Sequence, residues 1–175
     1  IKGKAIQSVA TSDGQQIFIG GGSFGVWKSK DGGSTWQDTG FPDRDLVHSL
    51  QIILSPDYKH DSSVYATAGQ GLYRSRDGGR TWALLNIPVE DTEFMIGPLA
   101  ISPNFAGDRA LIVGGDYRSP TLWQSSDQGE TFTPIQAQIV ITPAAFTKLL
   151  ITPDGSYWAW LDYTGLFRSD DRGLT

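Results

Sequence analysis

The 175-residue chain contains no cysteine, a single methionine and only two histidines. The missing cysteines exclude a disulfide framework, a Cys-ligated zinc site and a thiol nucleophile, and leave the redox compartment open. His48 and His60 stand apart, with no serine or second histidine at useful spacing. Neither a catalytic triad nor a histidine-rich metal site is expected, and no cofactor or metal is predicted. A surplus of positive charge is also lacking. The net charge of −5 argues against a nucleic-acid or anionic-membrane surface, because phosphate binding needs a basic face. Long hydrophobic runs are absent: the stretch 94–101 is broken by Gly97 and Pro98. No segment approaches the roughly 20 apolar residues that a membrane span requires. No apolar pattern of period 3.6 reaches helical length. Nucleotide-binding loops are missing too, since Gly20-Gly21-Gly22 has no helix behind it. Ile1 is not a native start, which leaves room for a leader upstream that has been removed or omitted.

What is present is punctuation. Twenty-one glycines and nine prolines suit many short elements joined by tight turns, and 39% hydrophobic residues suffice for a core. Self-comparison then exposes a repeat. Ser29-Lys30-Asp31-Gly32-Gly33-Ser34-Thr35-Trp36 recurs as Ser75-Arg76-Asp77-Gly78-Gly79-Arg80-Thr81-Trp82 and as Ser125-Ser126-Asp127-Gln128-Gly129-Glu130-Thr131-Phe132. A fourth copy carries Ser169, Asp171, Gly173 and Thr175, one residue short of its aromatic. The aspartates at 31, 77, 127 and 171 are 46, 50 and 44 residues apart. A short aromatic strand precedes each serine (Gly25-Val26-Trp27-Lys28 and its equivalents), and further apolar runs lie upstream and downstream. Each period therefore holds four short strands, A to D in chain order. Such a unit cannot bury both faces alone, and a 44–50-residue period of four strands predicts an all-β fold, a β-propeller of four-stranded antiparallel blades. The blades are expected over 1–42, 43–90, 91–138 and 139–175, the last incomplete, as a single partial propeller belonging to a larger one.

These residues resemble the Asp-box (BNR) repeat superfamily, and the resemblance covers essentially the whole chain. The superfamily includes sialidases, xyloglucan-cleaving glycoside hydrolases, sortilin-type receptors and photosystem II assembly factors. The box marks the fold and says little about function. It falls between strands C and D, so Asp31, Asp77, Asp127 and Asp171 are expected to brace a hairpin through backbone N–H groups rather than to act as catalysts or ligands. Trp36, Trp82 and Phe132 are expected to pack beside the turn. A second repeat occupies the A–B connections, Ser55-Pro56-Asp57-Tyr58 with Asp61 and Ser102-Pro103-Asn104-Phe105 with Asp108, where Tyr58 and Phe105 are expected to plug the base of a blade.

In an antiparallel blade the A–B and C–D connections share one end, and the B–C and D–A connections share the other. The candidate binding face is therefore the second end: Asp43, Arg44, Asp45, His48, Glu90, Asp91, Glu93, Asp116, Arg118 and Asp162, with Tyr117 and Tyr163 as aromatic platforms. As a set it is acidic. Resemblance to sialidases would imply three converging arginines, a Tyr–Glu nucleophile pair and an acid. Of the eight arginines, however, only Arg44, Arg109 and Arg118 lie off the repeat. Tyr117-Arg118-Ser119-Pro120 resembles the sialidase arginine motif but sits in an interior B–C loop. A glycoside hydrolase needs two carboxylates about 5–10 Å apart, which the acidic loops could supply. No catalytic residue is assigned. The reading is a non-catalytic scaffold, extracellular, periplasmic or otherwise extracytoplasmic, that binds a protein partner or a polysaccharide and needs further blades of the same or another chain to close. The alternative is a xyloglucanase-like or sialidase-like glycoside hydrolase. Lys28, Arg74 and Arg168 share one repeat position and are expected to snorkel at blade edges or pair with carboxylates.

Overall fold

A computed structural model describes residues 3–22, 24–43, 50–69, 71–89, 95–115, 121–135 and 145–173. Two compact units divide the chain, Ile1–Leu85 and Asn86–Thr175. In the first unit, β1 (Ser8–Thr11), β2 (Ile17–Gly21), β3 (Gly25–Ser29) and β4 (Gln37–Asp38) form one antiparallel sheet in that order. A second sheet contains β5 (Leu50–Leu54), β6 (Val64–Ala68), β7 (Gly71–Ser75) and β8 (Ala83–Leu85). A one-turn helix, α1 (Tyr58–Asp61), joins β5 to β6.

The second unit repeats the plan. β9 (Ile96–Ile101), β10 (Leu111–Gly115), β11 (Leu122–Ser125) and β12 (Thr133–Ile135) form a four-stranded sheet, with α2 (Phe105–Asp108) between β9 and β10. β13 (Phe146–Ile151), β14 (Tyr157–Leu161) and β15 (Gly165–Ser169) form a three-stranded sheet among the described residues. Neighbouring strands are consecutive in sequence and antiparallel, so each sheet is a meander.

Period-2 side-chain alternation gives each sheet two faces. In the first unit Phe18 and Val26 pack with Leu50, Ile52, Val64 and Ala66 in one buried cluster. In the second unit Ile112 and Leu122 pack with Phe146, Ile151, Tyr157 and Ala159. Thus one face of β2–β3 meets the opposite face of β5–β6, and β10–β11 meets β13–β14 in the same way. Backbones approach closely at these contacts. A Cβ on Gly114 would lie 2.8 Å from the Cβ of Phe146, and one on Gly20 would lie 2.2 Å from Cδ2 of Leu50. The sheet β13–β15 leaves the equivalent face bare. Leu166 is 55% exposed, whereas Val26, Leu72 and Leu122 at the same repeat position are 0%, 1% and 8% exposed. Leu150 and Trp160 are exposed with it.

Both A–B connections 55–63 and 102–110 are alike, but neither is a simple turn. Pro-Asp and Pro-Asn start a single helical turn that closes with Ser62 or Arg109 in the left-handed region, at φ 52° and 55°. One turn is too short to produce a helical period in the sequence. Ser55 Oγ donates to Asp61 at 2.6 Å and Ser102 Oγ to Asp108 at 2.7 Å, bracing the two loops identically. Tyr58 and Phe105 are buried beneath them.

Candidate functional site

The Asp boxes follow β3, β7, β11 and β15, the first three forming the hairpins to β4, β8 and β12, and their side-chain hydrogen bonds are internal. In the second box Asp77 Oδ1 accepts from Ser75 Oγ (2.8 Å) and from the amides of Arg80 and Thr81 (both 2.9 Å), while Oδ2 accepts from Thr81 Oγ1 (2.7 Å). Asp31 and Asp127 accept from Thr35 and Thr131 in the same way, at 2.6–3.0 Å. The serine oxygen also accepts from the amide four residues on, at 2.8 Å for Gly33, Gly79 and Gly129 and 2.6 Å for Gly173. The serine and threonine roles were missed by sequence reasoning centred on the aspartate, although both residues recur in every copy.

Four residues into each box the chain turns through positive φ (94°, 84°, 89° and 85°), which is why glycine stands at 33, 79, 129 and 173. Each of the first three boxes then docks on its own A–B connection: Gly32 N donates to Gln15 O, Gly78 N to Ser62 O and Gln128 N to Arg109 O, all at 3.0–3.1 Å. Trp36 and Trp82 are half-buried and Phe132 is buried. Trp82 meets Phe41 edge-on at 5.0 Å.

These hydrogen bonds stabilise the ionised carboxylates. For Asp31 the side-chain bond from Thr35, then its amide, hold the pKa down at about 2. For Asp77 and Asp127 partial burial pulls upward, but the bonds from Thr81 and Thr131 outweigh it and again set about 2. At neutral pH these carboxylates are therefore ionised acceptors that brace their own turns.

At the other end of each sheet the structure places three of the candidate residues. Asp43 is half-buried and accepts from Tyr73 Oη at 3.4 Å; burial, then the charge of Asp43, push the Tyr73 hydroxyl up. Asp162 and Tyr163 form the B–C turn between β14 and β15, with Tyr163 fully exposed at φ 60°. Arg44, Asp45, His48, Glu90, Asp91, Glu93, Asp116, Tyr117 and Arg118 lie outside the described residues. His60, at the opposite end on α1, pairs with Asp57, and this hydrogen bond raises its pKa.

The shared basic position finds a different partner in each sheet. Lys28 Nζ donates to Tyr58 Oη at 3.1 Å and to Gly78 O at 3.2 Å. Arg74 is buried and interacts with Tyr65. Arg168 Nε donates to Asp170 at 2.5 Å and its guanidinium lies over the Trp158 ring. Among the described residues no cluster of three or more His, Cys, Asp or Glu could hold a metal ion, and no helix is long and apolar enough to cross a membrane.

Meander sheets of this size, each with an Asp box directly after its third strand, define the chain as a β-propeller protein of the Asp-box repeat class. The family model described as "Sortilin, neurotensin receptor 3" matches residues 25–149, and the chain belongs to this Sortilin-Vps10 family. Comparison with curated proteins gave no match. Among solved structures it is similar to the GH74 enzyme of Niastella koreensis, with 20% identity, a TM-score of 0.68, and coverage of 95% of this chain and 29% of that one. It is similar to the extracellular domain of the putative one component system BT4673 from B. thetaiotaomicron, with 16% identity, a TM-score of 0.68, and coverage of 95% and 21%. A third likeness is to YCF48 bound to D1 peptide, with 19% identity, a TM-score of 0.60, and coverage of 97% and 51%. These likenesses establish the fold. The chain spans less than a third of the GH74 enzyme and about half of YCF48.

Proposed function

We propose that the chain is part of a non-catalytic propeller scaffold, working outside the cytoplasm, that binds a protein partner or a glycan through the end opposite its Asp boxes. The observation that carries this reading is Tyr163. A bulky residue at positive φ is strained by roughly 1–2 kcal/mol, and a tyrosine ring left wholly in solvent contributes nothing to the core. An exposed aromatic next in sequence to Asp162 is suited to stack on a sugar face or on a peptide group. Two relatives in fold supply precedent: the YCF48 structure holds a D1 peptide, and the BT4673 structure is of an extracellular domain. The bare face of β13–β15 supports a further part of the proposal, that another blade of the same or another chain packs there.

Calorimetric titration with xyloglucan and sialylated oligosaccharides and with extended peptides tests the reading. One ligand class should bind, Tyr163→Ala should weaken it by about tenfold or more, and the melting temperature should not fall. Release of reducing ends that collapses in Asp162→Asn or Asp116→Asn would establish the glycoside-hydrolase alternative instead.

A further inference from the structure

A recess of about 460 Å³ opens at the Asp-box end of the first unit, between its two sheets. Lys28, Lys30 and Asp38 line one wall, and the turn from Asp77 to Arg80 lines the other. Lys28 is held there in one place. Its ammonium lies 5.0 Å from the Phe18 ring centre and 5.8 Å from that of Tyr58, and donates to Tyr58 Oη and Gly78 O. An ammonium has three donors, so one remains uncommitted. Lys30 is exposed and has no partner among the described residues. Arg80 Nε forms a loose ion pair with Asp77 Oδ2 at 3.9 Å, while Oδ1 of that carboxylate accepts three bonds from its own box and Oδ2 one. Asp38 accepts from the Gly40 amide. In a chain of net charge −5 this recess concentrates three cations against two acids bound up in their own turns.

The second unit contains an internal control. Its two sheets enclose an equivalent recess of about 330 Å³, but Gln124 and Ser126 stand where Lys28 and Lys30 stand, and Asp171 and Arg172 face them. The blade repeat therefore makes the recess, and only the first copy is furnished with lysines.

We propose that the Lys28–Lys30–Arg80 recess is a binding site for a small polycarboxylate. The cations line both walls of a space much larger than a single ion, which favours two or three carboxylates carried on one short skeleton. Arg80 can take a carboxylate through its forked donors, and the two lysines act as point charges. Burial, then the neighbouring Lys30 ammonium, lower the pKa of Lys28, and an anion seated between the two lysines relieves that repulsion.

The test is amide-resolved NMR titration with citrate at constant low ionic strength, with inorganic phosphate and chloride as comparison anions. Citrate should give a saturable one-to-one shift centred on Gly78, Gly79 and Arg80. Lys30→Ser, a change at an exposed side chain, should melt like the parent and bind citrate about tenfold more weakly, equivalent to about 1.4 kcal/mol. Lys28→Gln with Lys30→Ser should abolish binding, and Gln124→Lys with Ser126→Lys should create a second site. Absence of a saturable shift, unchanged affinity in Lys30→Ser, or phosphate binding as tightly as citrate would each overturn the proposal.

Discussion

The aspartate of each box makes a hairpin out of a sequence with little else to hold it. Its two oxygens gather the serine and threonine hydroxyls and the following amides, so removing it strands several donors at once. Asp77→Ala should destabilise the chain by about 1–3 kcal/mol, measured by urea denaturation, with an unchanged m-value. The same geometry sets a pH dependence. The carboxylates of Asp31, Asp77 and Asp127 titrate at about 2 when folded, below the ordinary value of 3.8. A depressed folded pKa contributes stability that is complete above the unfolded value and is lost as pH falls through the folded one. Melting temperature should therefore decline most steeply between about pH 4 and pH 2. Asp77→Asn should flatten that decline while lowering stability at neutral pH, because the amide replaces one acceptor facing Thr81.

At the scale of the element, sheets meet where a side chain is missing. Gly114→Ala would drive a methyl group against Cβ of Phe146, an atom fixed to the backbone, and should cost about 1–3 kcal/mol. At Gly20 the obstructing atoms are terminal methyls of Leu50 and Ile52, ends of flexible side chains rather than atoms fixed to the backbone, so Gly20→Ala should cost less. Thermal melts of the two single variants check that order. The strands themselves were legible in the sequence because short apolar runs and a repeated hairpin both survive one-dimensional reading. The contact glycines were not, because a close approach depends on which face of the next sheet arrives. Nor were α1 and α2, since one helical turn leaves no period. The clearest miss is Phe41. It is completely buried in the first unit, edge-on to Tyr73 and Trp82, yet it lies in a D–A connection with no repeat to single it out. At the candidate site, the repetition of the box aspartates pointed to the turn bracing that their backbone hydrogen bonds display. Tyr163 could be named from its loop, but its solvent exposure and left-handed backbone are properties of the folded turn.

For the molecule as a whole, the bare face of β13–β15 matters more than any single loop. Leu150, Trp160 and Leu166 together expose an apolar surface that its counterparts bury, and such surfaces associate. The chain in isolation should self-associate with rising concentration in sedimentation experiments. Trp160→Lys with Leu166→Lys should suppress this and change the chain's own stability by no more than about 0.5 kcal/mol. Trp160 occupies the register position of Gly20 and Gly114, each opposite the same strand-C residue type: Trp160 pairs with Leu166, Gly20 with Val26 and Gly114 with Leu122. A blade settling on this face would meet an indole where the first and third sheets offer only a hydrogen atom and the second a threonine. That indole is also a built-in optical probe. Half exposed among six tryptophans, it should add long-wavelength, acrylamide-quenchable emission, and a blue shift with loss of quenching that is missing from Trp160→Phe would report, without any label, the moment this face is covered.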